Sequence, residues 1–176
     1  MPDAPFPLVL VLGGARSGKS RQAEALVESW PAPWTYIATA EPFDDEMAAR
    51  IAEHRARRPE EWVTLEAPRD LPEVLAGVPA GRPVLVDCLT LWLSNLLLAE
   101  RDLEAEGERL AEVLERRAGP VALVSNEVGW GIVPETPLGR RFRDAQGRLN
   151  QRMAAAADRV VLVVAGIPVA IKGAVG

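Results

Sequence analysis

Lys19 and Ser20 close the run Gly13-Gly14-Ala15-Arg16-Ser17-Gly18-Lys19-Ser20, whose residue types and spacing suit one chemical task. A glycine, four free positions and then Gly-Lys-Ser let the backbone curl around an anion. The glycines allow positive φ angles and close approach, so successive amide N–H groups point at phosphate oxygens. Lys19 is placed to reach the β- and γ-phosphates of a nucleotide, and the Ser20 hydroxyl to ligate Mg²⁺. The helix expected after the loop turns its free N–H groups and positive dipole end toward the same anion. Only two of the 20 Lys and Arg residues are lysines, Lys19 and Lys172, so a lysine at this position stands out. A glycine-rich turn that merely joins strand to helix is the alternative, and the flanking apolar run and helical pattern count against it. The loop specifies a nucleotide; it does not specify a reaction.

Three other positions could carry chemistry. Val84-Leu85-Val86-Asp87 is an apolar run capped by an acid, the form of a strand whose terminal carboxylate assists Mg²⁺, although a buried strand ending in Asp is common in its own right. Thr39 closes the segment Trp34 to Thr39, at the strand exit where an α/β sheet holds its ligand. His54 is the single histidine of the chain. It lies in Asp44 to Arg58, which begins with acids and ends with arginines as a helix dipole favours, and Met47, Ile51, His54 and Arg58 fall on one helical stripe. From the residues alone, a histidine among arginines and glutamates is either a surface group or a nucleophile. Cys88, the one cysteine, excludes an intrachain disulfide and a cysteine-rich metal site, and reads as core packing.

The elements that must position these groups follow from periodicity. Leu8 to Leu12 is an all-apolar run of the kind that forms a buried parallel strand, and Trp34 to Thr39, Trp62 to Leu65, Val84 to Asp87, Val121 to Val124 and Val160 to Val164 are further strands. Helical patterns cover Ser20 to Trp30, Asp44 to Arg58, Leu71 to Leu75, Leu89 to Leu98, Leu103 to Arg117 and Leu138 to Ala157, the last with Leu138, Phe142, Leu149 and Met153 on its inner side. Ser125 to Glu135 reads as a long glycine- and proline-punctuated loop, and loops of that length in compact domains are commonly functional. Gly166-Ile167-Pro168 reads as a turn into an extended stretch, Val169 to Lys172. Strand and helix alternate throughout, which predicts an α/β fold, a mostly parallel sheet flanked by helices on both faces; with the phosphate loop after its first strand, the expected type is P-loop NTPase-like (RecA-like).

Composition bounds the rest. A chain of 176 residues fits one domain, 1–176, with 1–7 as a flexible extension carrying three prolines. The net charge of -5 argues against non-specific nucleic-acid binding. The longest apolar run, Val160 to Ile171, is too short to span a membrane and holds Gly166 and Pro168, and no secretory pattern opens the chain, so a cytoplasmic location is expected.

Four stretches together resemble the bifunctional adenosylcobinamide kinase / adenosylcobinamide-phosphate guanylyltransferase family of cobalamin synthesis. They are Gly13 to Ser20; Ile37-Ala38-Thr39-Ala40 leading to Asp44 to Ile51 and His54; Ser125-Asn126-Glu127-Val128-Gly129 with Gly131-Ile132-Val133-Pro134-Glu135; and Gly147-Arg148-Leu149-Asn150-Gln151-Arg152. The resemblance runs from about Leu8 to Lys172. It implies phosphorylation of adenosylcobinamide by ATP or GTP, then transfer of GMP from GTP to adenosylcobinamide phosphate through a guanylylated histidine, releasing pyrophosphate. His54 matches that histidine, which makes His54 and Lys19 the expected catalytic pair. Arg50, Arg57 and Arg58 around a neutral His54 suit attack on an α-phosphate. The resemblance extends the nucleotide contacts to Ala38, Thr39, Ala40, Arg55, Ala56, Arg57, Arg58, Glu66 and Asp87 and suggests a homo-oligomer, a trimer; the Mg²⁺ ligands stay those read from the two motifs, Ser20 and Asp87, with relatives carrying Glu at the Asp87 position. Two other readings keep the loop but drop the guanylyl transfer: a kinase acting on another small hydroxyl substrate, and a nucleotide-dependent regulatory switch. The switch lacks support from an Asn-Lys-x-Asp guanine-reading motif, since Ser125-Asn126-Glu127-Val128 does not fit one.

Overall fold

The computed structural model describes residues 7–41, 45–56 and 58–174, without the side chains of residues 46, 47, 50 and 53–55. Its elements, in chain order, are β1 (Leu8–Gly13), α1 (Lys19–Glu28), β2 (Trp34–Ala38), α2 (Asp45–Ala56), β3 (Trp62–Glu66), α3 (Leu71–Gly77), β4 (Val84–Asp87), α4 (Leu89–Leu98), α5 (Leu103–Arg116), β5 (Val121–Asn126), α6 (Pro137–Ala156), β6 (Arg159–Val164) and β7 (Ile167–Lys172). The strands form one sheet in the order β3-β2-β4-β5-β1-β6-β7. Every neighbouring pair is parallel except β6 with β7.

The all-apolar strands are the central ones, and they alternate their side chains between two cores. Leu10 and Leu12 of β1, Val84 and Val86 of β4 and Leu123 of β5 face a core completed by Leu71 and Leu75 of α3, Trp92 and Leu96 of α4, Leu110 of α5 and Leu149 and Met153 of α6. Val9, Val11, Leu85, Ala122 and Val124 face the other way, onto Ala23 and Val27 of α1, with Tyr36 and Trp62. A strand buried on both faces has no polar alternation to show, which is why these runs read as continuous hydrophobics.

Helix starts obey local chemistry. Asp102 accepts from the Glu104 and Ala105 N–H groups at the head of α5, and Thr136 accepts from Gly139 N–H at the head of α6, where Pro137 occupies the first helical position.

Four sequence expectations are corrected. Ser125 and Asn126 belong to β5, because that strand continues its pairing with β1 up to Gly13 opposite Asn126. Ile167 and Pro168 belong to β7; the turn is Ala165-Gly166, with φ of 51° and 80°, the two-residue geometry that matches strand twist. Pro168 is tolerated there because β7 is an edge strand. Arg58 lies beyond the end of α2 and so leaves the stripe of Ile51 and His54. Leu138, expected on the inner side of α6, is exposed in its first turn. No helix among the described residues is long and apolar enough to cross a membrane.

Trp92 and Trp130 separate the load-bearing core from the surface. Trp92 is 0% exposed and donates its indole N–H to Arg69 O at 2.8 Å, whereas Trp130 is 73% exposed. Trp92→Ala is expected to cost about 3–5 kcal/mol. At about 2–4 °C per kcal/mol for a chain of this size, it should lower Tm by roughly 10 °C. Trp130→Ala should stay within about 0.5 kcal/mol of the parent. Thermal unfolding of the two variants checks the contrast.

Candidate nucleotide site

A parallel sheet brings the C-terminal ends of its strands to one edge, and the phosphate loop, Thr39 and Asp87 collect there. β1 runs out at Gly13 into the loop that precedes Lys19. A Cβ on Gly13 would sit 2.4 Å from Ser17 Oγ and 2.9 Å from Val163 O, so only glycine lets the chain enter the loop. Gly18 adopts a φ of 92° immediately before α1, and Arg16 a φ of 55° inside the loop. The loop is held from behind by the β6–β7 turn: Gly166 N–H donates to Ser17 O at 2.8 Å, and Gln22 Nε2 donates to Gly166 O at 3.2 Å. Lys19 is buried, with Nζ donating to Gly14 O at 3.0 Å across the loop mouth. Ser17 Oγ is buried against Gly13 without a protein partner among the described residues.

Asp87 ends β4, and its Oδ1 accepts from Ser20 Oγ at 3.5 Å. The hydroxyl and carboxylate that spacing assigned to a divalent cation therefore face each other. Both are hard oxygen donors, and a site with two protein oxygens suits Mg²⁺, which keeps waters and substrate phosphates for the rest of its octahedron. The other Asp87 oxygen accepts from Tyr36 Oη at 2.5 Å, which fixes the carboxylate's orientation. Burial first, then the Asp87 charge and hydrogen bond, push the Tyr36 hydroxyl above the usual tyrosine range, so it stays a donor. Arg58 stacks on the Tyr36 ring with its guanidinium carbon 3.4 Å from the centroid, and donates to Thr64 Oγ1 at 3.1 Å.

The remaining expected contacts divide by strand. Ala38 and Ala40 are half-buried at the exit of β2. Thr39 between them is fully buried and structurally committed: its Oγ1 donates to Cys88 O at 2.7 Å and accepts from Cys88 N–H at 2.8 Å, while its own N–H donates to Asp87 O and its carbonyl accepts from Asn95 Nδ2. Thr39 thus clamps the chain just after Asp87. Glu66 is exposed at the end of β3, four strand positions from β1, or roughly 19 Å at about 4.8 Å per strand. His54, Arg55 and Ala56 lie in the last turn of α2; the side chains of His54 and Arg55 lie outside the described residues, as does Arg57 altogether. Cys88 is buried, and burial raises its thiol pKa, as expected for packing.

Two residues at this edge were missing from the expected site. Tyr36 reads as an ordinary strand aromatic until β4 is known to lie beside β2. Glu127 was quoted only as part of a longer stretch; its N–H donates to Gly13 O at 3.2 Å, which sets it against the loop.

Residues 9–171 match the family model described as cobinamide kinase / cobinamide phosphate guanyltransferase. The chain belongs to that family. It is 52% identical over 167 residues to a bifunctional adenosylcobalamin biosynthesis protein of Pseudomonas aeruginosa, covering 93% of this chain and 96% of that one. It is 46% identical over 181 residues to the Escherichia coli protein of the same description, covering 94% and 99%. Among solved structures it is similar to a prototypical ATPase from the type III secretion system of pathogenic bacteria, with TM-score 0.55, 12% identity and coverage of 89% of this chain and 50% of that one. It is also similar to the RadB recombinase, with TM-score 0.50, 21% identity and coverage of 91% and 75%. These likenesses show the fold, that of the P-loop NTPases, and the family member described here keeps it in one domain.

Tyr36 is the one tyrosine, so its phenolate absorbance reports a single site of this family member. Because its folded-state pKa lies above the unfolded value near 10, the unfolded chain releases that proton first. Its contribution to stability is therefore intact below about pH 10 and falls above it by about 1.4 kcal/mol per pH unit. Phenolate absorbance should appear only with unfolding, and Tyr36→Phe should remove this component of the alkaline stability loss. A folded-state titration near pH 10 would contradict the burial argument.

Proposed function

We propose that this chain phosphorylates adenosylcobinamide with ATP or GTP and then transfers GMP from GTP to adenosylcobinamide phosphate. The products of the second reaction are adenosyl-GDP-cobinamide and pyrophosphate. The observation that carries the reading is the assembly of Lys19, Ser20 and Asp87 around one phosphate loop in a member of a family whose description names both reactions.

In the first reaction the substrate hydroxyl oxygen bonds the γ-phosphorus and the nucleoside diphosphate leaves. The loop N–H groups and Lys19 hold the β- and γ-phosphates in line for that displacement. Ser20 and Asp87 would hold Mg²⁺, which would offset negative charge on the phosphate oxygens. In the second reaction His54 attacks the α-phosphorus of GTP and pyrophosphate leaves. A phosphate oxygen of the acceptor then takes the guanylyl group and frees the imidazole. The residues at the ends of β2 and β3, Ala38, Thr39, Ala40 and Glu66, with Arg55, Ala56, Arg57 and Arg58, are assigned to nucleotide contacts in this reading; for Thr39 those contacts are limited to its surroundings by its bonds to Cys88.

The same reading takes the enzyme to be a cytoplasmic homo-oligomer, a trimer. Support for assembly comes from the edge strand β7, which turns exposed Ile167, Val169 and Ile171 to solvent.

Incubation with GTP labelled at the α-phosphate tests the second half. Wild type should acquire acid-labile, base-stable label, and His54→Ala should acquire none. Equal labelling of the variant, or none of wild type, would leave a kinase without guanylyl transfer. Lys19→Ala should lower phosphoryl transfer to adenosylcobinamide by about 10²-fold or more, as loss of a transition-state cation does. Retention of wild-type rate by that variant would remove the loop from the reaction.

A further inference from the structure

In the sheet, β5 lies between β1, which leads into the phosphate loop, and β4, which ends in Asp87. Gly13 pairs with Asn126 at the end of β5, so Glu127, the next residue, emerges between the loop and the Asp87 side of the site. Its N–H donates to Gly13 O at 3.2 Å, and its half-buried carboxylate accepts from Asn150 Nδ2 at 3.3 Å through Oε1.

The support behind Asn150 is unusual for a core. Asn150 is 4% exposed; its Oδ1 accepts from Ser125 Oγ at 2.7 Å and from Gln146 Nε2 at 2.9 Å, and its Nδ2 also donates to Asn126 O at 3.0 Å. Gln146 Nε2 donates to Ser125 Oγ at 2.9 Å as well. Three buried polar side chains occupy positions beside Leu149 and Met153 that apolar residues would fill at lower desolvation cost. What the network provides is direction: it points one amide at the end of β5 and at Glu127.

We propose that Glu127 is the general base of the phosphoryl-transfer step, with Asn150 as its positioning residue. The inference rests on the kinase reading above. As the acceptor hydroxyl oxygen bonds the γ-phosphorus, its proton passes to the Glu127 carboxylate. The bond from the γ-phosphorus to the β–γ bridging oxygen breaks, and the nucleoside diphosphate leaves with that electron pair. Other carboxylates at this edge are committed or remote. Asp87 is held by Tyr36 and Ser20, Glu41 is paired with Arg69 at 2.9 Å, and Glu66 stands at the far end of the sheet. Among the described residues, Asn150 holds one oxygen of Glu127 and the second has no protein partner, while the Glu127 backbone is tied to the loop at Gly13.

The test is steady-state phosphorylation of adenosylcobinamide by ATP, with nucleotide affinity and Tm measured on the same preparations. Glu127→Gln should lower kcat by about 10²- to 10⁴-fold, the usual contribution of a positioned base, with the ATP dissociation constant and Tm unchanged. Glu127→Asp should recover part of the rate. Asn150→Ala should lower kcat by roughly tenfold with the KM for adenosylcobinamide and the ATP dissociation constant unchanged, the kcat-only loss of a residue acting through another. Glu127→Gln within threefold of wild type, or a loss matched by weaker ATP binding or lower Tm and not recovered by Asp, overturns the proposal while leaving the kinase reading intact. No transfer to adenosylcobinamide by wild type overturns both.

Discussion

At Gly13 the chain passes between Ser17 and the Val163 carbonyl with no space for a side chain, and the rest of the site is arranged around that passage. It sets where β1 ends, hence where the loop amides stand. Its carbonyl receives the Glu127 N–H, tying the end of β5 to the loop. From behind, the Ala165-Gly166 turn donates to Ser17 O, so the loop is bounded by neighbouring strands on both sides. A loop this short holds its shape because three strands define its walls, and the β6–β7 hairpin, which looks peripheral in the strand order, supplies one of them.

A second constraint links the loop to the far side of the sheet. Thr64 of β3 receives Arg58, Arg58 covers Tyr36 of β2, Tyr36 donates to Asp87 of β4, and Asp87 receives Ser20 of α1. Each contact joins neighbouring or next-neighbouring elements, and none is strong alone. Together they fix the carboxylate between a neutral phenol and a hydroxyl, because the buried phenol holds its proton. Thr39 adds a clamp on the peptide that follows Asp87. The charged group at the centre is thus oriented by uncharged neighbours, which leaves its charge available to a cation.

Much of this was legible in the chain because it is local. The loop is eight consecutive residues, and each central strand is an unbroken apolar run, so loop, strands and the parallel class follow from contiguous patterns. What escaped depends on which strands are neighbours. Tyr36 and Asp87 meet only because the sheet places β4 next to β2, and no spacing in the sequence encodes that choice. Thr39 shows what a strand exit hides: the position reads as a ligand contact, and burial with two bonds to Cys88 gives its side chain a structural task that spacing does not reveal. One signal was present and unused. Gln146 and Asn150, four residues apart, sit on the same stripe of α6 as Phe142, Leu149 and Met153, and polar residues inside an apolar stripe mark a buried network.

The strand order also divides the groups assigned to attacks on two different phosphorus atoms. Loop, Lys19, Ser20, Asp87 and Glu127 gather over β1, β5 and β4, whereas Ala38, Ala40 and Glu66 belong to β2 and β3. A γ-phosphate seated in the loop is therefore flanked by the groups that suit phosphoryl transfer. The α2 segment bearing His54 connects β2 to β3, on the other side of Asp87. In the proposed reading the two chemistries occupy opposite sides of that carboxylate. Arg58 and Tyr36 reach Asp87 from the β2 side, through the phenol that Arg58 covers. Strand order thus divides the two sets, with Asp87 and its supports between the loop, Lys19, Ser20 and Glu127 on one side and the exits of β2 and β3 on the other.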